Sequence, residues 1–158
     1  MRHAKSDYPS EVADHDRPLA PRGVREAGLA GDWLRASAPS IDLVLCSTAV
    51  RTRETLARTK LSAPVTFVDR IYDAVPSTVI DEINGVDDDV ATLLVIGHEP
   101  AMSSVTLALA DASTSNSVAA EDVSTKFPTS AIARLRIGSS WRDLVVGGAM
   151  LDSFHVPR

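Results

Sequence analysis

A single cysteine, Cys46, occurs among 158 residues. No internal disulfide can form, and this usage fits a reducing compartment, so the expected location is the cytoplasm. Aromatic residues make up only 4% of the chain, and Trp33 and Trp141 read as packing residues rather than a ligand platform. Long apolar runs are missing too. The longest, Leu93-Leu94-Val95-Ile96, is far too short to cross a bilayer. The opening stretch MRHAKSDYPSEV has no apolar segment of the kind a signal peptide needs. Positive charge is not in excess. The net charge is −5, which argues against general nucleic-acid binding. Any phosphate chemistry would have to use a local basic pocket.

Several chemical signatures are also absent. The chain has no G-x-S-x-G elbow, no G-x-x-x-x-G-K-[ST] loop, no G-x-G-x-x-G and no H-E-x-x-H. A cysteine-dependent phosphatase needs Cys, five residues, then Arg. From Cys46 that register lands on Thr52, between Arg51 and Arg53. Cys46 is therefore read as a buried strand residue. Asp14-His15-Asp16 offers metal-binding side chains, but adjacent residues on a loop seldom converge on one ion. The expectation is a solvated loop, with no metal and no cofactor.

What is present suits one layered domain spanning residues 1–158. Leu43–Cys46 and Thr92–Ile96 are unbroken apolar runs, as in strands buried on both faces. Val65–Val68 is a weaker strand. Ile132–Ile137 and Asp143–Val146 read as a late hairpin. Helical patterns fall between them. Val24, Ala27, Ala30 and Leu34 form a stripe after Pro21, and Ala49–Thr59, Ser77–Ile83 and Ala101–Ala110 follow. The Ser/Thr/Asn-rich stretch from Asp111 to Val118 reads as a surface loop. Strands alternating with helices predict a three-layer α/β/α sandwich with a mostly parallel sheet.

In such sheets, sites form at the carboxyl ends of strands. After LVLCS, Ser47 or Thr48 can cap the next helix, and Arg51 falls in its first turn, where free N–H groups favour an anion. After LLVI, Gly97 allows a tight turn from which His98 projects. Arg2 and His3 supply a second arginine–histidine pair. Arginine forks bind phosphate oxygens bidentately, and a neutral histidine can be a nucleophile. Arg53 and Arg58 read as a solvated helix face, and His155 has no assigned role.

These residues resemble the histidine phosphatase superfamily. The likeness rests on Arg2-His3-Ala4, on Ser47, Arg51 and Thr55 in STAVRTRET, and on Gly97-His98-Glu99-Pro100. RHAKS, DHDRPLAPRG, KFPTSAIARL and the short length, with no inserted cap, look like the SixA-type phosphohistidine phosphatases. The resemblance implies that His3 attacks phosphorus and carries the phosphoryl group. Arg2 and Arg51 would bind its oxygens, with His98 donating a further hydrogen bond. Arg17 would reach in from its loop, or else pair with Asp14 or Asp16. Water would then release phosphate.

Two departures from the pattern shape the expectations. Larger members carry an acidic proton donor after the third strand. Here that segment is DRIYD, with Asp73 as the fallback acid. A phosphohistidine leaving group needs less protonation than an alkoxide, so phosphohistidine on a protein is the expected substrate. The alternatives are a hydrolase of small phosphate esters, and a catalytically weak phosphate-binding regulatory module. Members also have a central apolar strand just before Arg-His. Here only Met1 precedes it, so either the true start lies upstream or the sheet has a gap at its middle, with His3 on a mobile terminus. The partners are then phosphorylated proteins or small phosphorylated substrates, with no nucleic acid and no membrane. The oligomeric state is open.

Overall fold

The computed structural model describes residues 1–158. Strands β1 (Leu43–Ser47), β2 (Val65–Val68) and β3 (Leu93–Ile96) form a parallel sheet in the order β2-β1-β3. Strands β4 (Ile132–Ile137) and β5 (Ala149–His155) form an antiparallel pair. Helices α1 (Pro21–Ser37) and α2 (Val50–Thr59) lie in one layer. Helices α3 (Pro76–Asn84), α4 (Ala101–Leu109) and α5 (Ser117–Thr125) lie in the other.

The alternation of each strand explains the layers, because successive side chains point to opposite faces. Val44, Cys46, Leu94 and Ile96 face α1 and α2, where they pack with Ala30, Leu34 and Leu56. Leu45 faces the other way, onto Ile71 and Val86. Leu93 and Val95 support the larger core, which holds Val79, Met102, Val105 and Leu151. Two glycines let backbones meet. A Cβ on Gly31 would sit 2.1 Å from the Thr59 carbonyl oxygen, and one on Gly23 would sit 2.1 Å from that of Lys5. Gly23→Ala should therefore push α1 off the segment that follows His3. The expected result is a loss of about 1–3 kcal/mol in a urea melt, with a matching fall in activity.

Three expectations about helix and strand placement need correction. The hairpin partner of β4 is Ala149–His155, not Asp143–Val146. The amides of Asp143 and Leu144 bond back to the carbonyls of Ser140 and Trp141, and Gly147 sits at φ +72°, so that stretch is a chain of turns. Its apolar run is not a buried strand, because Leu144 plugs the core while Val145 and Val146 face solvent. The loop expected to run to Val118 gives way to α5 at Ser117, capped by the Asn116 side chain. This helix buries only Ala119 and Val123, too few to show a stripe. Neither Ser47 nor Thr48 caps α2, whose N-cap is Ala49.

The N-terminus is held, not mobile. Gly97 N–H donates to the Met1 carbonyl and His3 N–H donates to that of Gly97, while Arg2 N–H donates to Ala131 and Ser130 N–H to His3. Residues 1–3 thus form a one-strand-wide spacer between the ends of β3 and β4. The gap predicted in mid-sheet lies behind them. It is an apolar slot of about 1180 Å³ lined by Trp33, Leu34, Val95, Met102, Ile132 and Leu135, among others. The Met1 ammonium sits at its base and donates to the Val95 carbonyl at 2.8 Å.

Candidate functional site

Parallel pairing builds the site. Cys46 lies opposite Ile96, so the residues just beyond each strand, Ser47 and Gly97-His98, end up side by side. His98 Nε2 lies 2.8 Å from Ser47 Oγ. The Arg2–Gly97 bridge then places His3 next to His98, with ring centroids 5.1 Å apart. Arg51 enters from the first turn of α2 and is 6% exposed. Thr55, one turn further along, donates to the Arg51 carbonyl and accepts the Ala4 N–H at 2.9 Å. One threonine therefore pins the helix that carries Arg51 to the segment that carries His3.

His3 Nδ1 lies 2.7 Å from the Ala4 carbonyl oxygen. A carbonyl only accepts, so Nδ1 carries the hydrogen and Nε2 keeps its lone pair. Burial pushes the His3 pKa down to about 4, assisted by the charges of Arg51, Arg2 and Arg17 and partly opposed by the Ala4 bond. His98 is lowered to about 3, chiefly by burial and then by His3 and Arg51. Both rings are therefore neutral at physiological pH. Arg2 donates to the Phe127 carbonyl through one terminal nitrogen. Its Nε is buried without a partner, as is His98 Nδ1.

The structure brings Arg2, His3, Arg51 and His98 together, with Arg17 at the rim. Arg17 bonds Asp14, Ser6 Oγ and the Asp7 carbonyl. Asp73 is not drawn in. It is exposed, at φ +54°. Its neighbour Tyr72 occupies the site instead, edge-on to His98 at 5.4 Å. The pairing of Arg17 with Asp14 expected as one alternative is present, but the sequence places Asp14 on a solvated loop and does not show that it joins the site. The Asp14 carboxylate accepts from Arg17, Arg51 and the Tyr72 hydroxyl, and its carbonyl accepts a second bond from Arg51. Tyr72 and Arg17 hold its carboxyl far below the usual carboxylate range. The hint in the sequence was its spacing, three residues before Arg17. Asp14 thus holds two guanidinium groups that an anionic ligand would need. Asp14→Asn should tighten inorganic phosphate binding a few-fold by titration calorimetry, an effect of about 1 kcal/mol or less for so exposed an ion pair. Weaker binding would mean that Asp14 orders the arginines rather than competing for them.

A cluster of neutral histidines with the buried Arg51 and the half-buried Arg2 at the end of a parallel sheet defines a site for an anionic, transferable group. Residues 1–74 match the model of the histidine phosphatase superfamily (branch 1). An uncharacterized protein of Mycobacterium tuberculosis is 59% identical over 158 residues, covering 100% of both chains. A SixA candidate phosphohistidine phosphatase from Nakamurella multipartitia superposes with TM-score 0.91 at 38% identity, over 99% of this chain and 93% of its own. A second such structure, from Agrobacterium tumefaciens, gives 0.81 at 26%, over 99% and 95%. The chain belongs to the histidine phosphatase superfamily, in its SixA-like group, and is a phosphatase. No helix is long and apolar enough to cross a membrane.

Proposed function

We propose that this phosphatase works through a phosphohistidine intermediate on His3 and acts on phosphohistidine carried by another protein. The observation that carries the substrate assignment is the state of Asp14. This carboxyl at the site is bound as an anion by two arginines and a tyrosine hydroxyl, so it has no proton to give. An alkoxide leaving group would need one, whereas phosphohistidine protonated on its far nitrogen leaves as neutral imidazole. His3 Nε2, unprotonated, attacks phosphorus as the leaving nitrogen departs. Arg2 and Arg51 neutralise the equatorial oxygens. Arg2 Nε and His98 Nδ1, both lacking partners, supply further donors. The positions of these groups are fixed before substrate arrives, which is where most of the catalysis in phosphoryl transfer lies.

The test is a trapping assay. The protein is incubated with phosphoramidate or a phosphohistidine peptide, quenched in base and examined by mass spectrometry for phosphate on His3, with His3→Ala as control. Label on His3 with release of phosphate is the expected outcome. A phosphoserine peptide should turn over at least about a hundredfold more slowly, the value of a missing proton donor. Equal rates on the two peptides would move the assignment to phosphate esters. Release of phosphate without label on His3 would overturn the covalent mechanism.

A further inference from the structure

The second half of the reaction needs a base. Water must attack phospho-His3, and the loop of residues 14–16 places a suitable group at the mouth of the site. His15 Nδ1 lies 3.3 Å from the Asp16 carboxylate, and its Nε2 lies 3.1 Å from Thr48 Oγ1. The carboxylate accepts, so it holds the hydrogen on Nδ1 and leaves the Nε2 lone pair pointing at the Thr48 hydroxyl. The ring packs edge-on against Tyr72 at 4.9 Å, and Tyr72 in turn packs on His98. Thr48 directly follows Ser47, the partner of His98. A base, the carboxylate that orients it and a hydroxyl thus line up along one wall of the pocket. Asp14, committed to Arg17, Arg51 and Tyr72, is too weak a base for this task.

We infer that His15 is the general base that activates water to hydrolyse phospho-His3, with Asp16 positioning it. The inference rests on the covalent reading above. Water seated beside Thr48 Oγ1 attacks phosphorus. Its proton passes to His15 Nε2, a P–O bond forms, and the P–Nε2 bond of His3 breaks. The electron pair of that bond returns to His3, which leaves as neutral imidazole because its Nδ1 already holds a hydrogen. The products are hydrogen phosphate, neutral His3 and protonated His15, which loses its proton to solvent.

A general base contributes roughly 10²–10⁴-fold, so its loss should show as a trapped intermediate. Wild type, His15→Gln and Asp16→Asn are phosphorylated with phosphoramidate and freed of donor. The decay of phospho-His3 is followed in base-quenched samples, with circular dichroism confirming the fold. In His15→Gln the phosphoenzyme should form and then decay at least about a hundredfold more slowly than in wild type. Asp16→Asn should be intermediate. Free imidazole should restore decay to the phosphoenzyme of His15→Ala. Decay of the His15→Gln phosphoenzyme at the wild-type rate would overturn the assignment, as would a folded variant that no longer becomes phosphorylated. Absence of phospho-His3 from the wild type itself would overturn the covalent reading instead, so the two failures are distinguishable.

Discussion

Arg51→Ala should lower kcat/KM by about a thousandfold or more, the scale at which a single phosphoryl-binding arginine acts. Arg51 is buried among polar groups, and its guanidinium lies near enough to His3 and His98 to depress both their pKa values. A positive charge already held beside the two histidines need only exchange Asp14 for the phosphoryl oxygens when that group arrives. Arg51→Lys should recover little, because an ammonium cannot reproduce the planar fork that now bonds both the carbonyl and the carboxylate of Asp14. Arg53 and Arg58 lie on the exposed side of the same helix, so their alanine variants should stay within about twofold of wild type, as surface changes do. The measurement is kcat/KM on phosphoramidate for the four variants, with thermal melting to separate unfolding from lost catalysis. An Arg51→Ala enzyme within tenfold of wild type would remove Arg51 from phosphoryl binding. Equal losses in Arg53→Ala would point to the general field of the helix rather than one fork.

The core of this site was legible because strand ends announce themselves. Leu43–Cys46 and Leu93–Ile96 are continuous apolar runs, and the polar residues just past them have to sit at the carboxyl edge of a parallel sheet. Parallel register between β1 and β3 then brings Ser47 and His98 within bonding distance, a pairing that only the strand order of the fold supplies. The loop residues were less legible. Asp14 and His15 belong to a short 3₁₀ turn with no buried residue, so nothing in their hydrophobic pattern marks them. Their roles come from contacts 33 to 58 residues away in sequence, with Thr48, Arg51 and Tyr72. Asp73 and Tyr72 show the same limit. Adjacent residues on an irregular segment point in different directions, and only the fold decides that the phenol faces His98 while the carboxylate faces solvent. The second strand of the late hairpin lies further along than the apolar run Leu144-Val145-Val146 suggests, because Gly147-Gly148, just beyond that run, belongs to a turn.

The slot behind Met1 leads to the other large expected effect. Extending the chain upstream with Val-Leu-Val-Leu should raise Tm by roughly 5–10 °C at pH 7, at about 2–4 °C per kcal/mol for a domain of this size. Residues 1–3 already pair with β3 on one side and with Ala131 and Ser130 on the other. An extension would continue along the same line between the two unpaired strand edges. Each buried Val or Leu contributes about 1.5–3 kcal/mol, against about 1–2 kcal/mol to order its backbone, so the mid-range balance is a net gain of under about 1 kcal/mol per residue. The extension also removes a buried charge site. Desolvation lowers the Met1 ammonium from 8.0 to about 5, and at about 1.4 kcal/mol per pKa unit that linkage is worth about 4 kcal/mol in full. Between those values the unfolded chain holds a proton that the folded chain does not. Stability therefore rises with pH up to about 8 and falls as the solution is acidified toward 5. His3 and His98 act in the same direction, chiefly below pH 7, because their unfolded forms are half protonated at 6.5 and lose the rest of the proton just above it. The window from pH 7 to 8 is therefore set mainly by Met1. Urea melts across it should show wild-type stability climbing by about 1 kcal/mol, and an extended protein, whose Met1 nitrogen is an amide, should show a much smaller slope. An unchanged Tm with the slope intact would mean that the slot does not accept a strand and that β3 and β4 close on each other in solution.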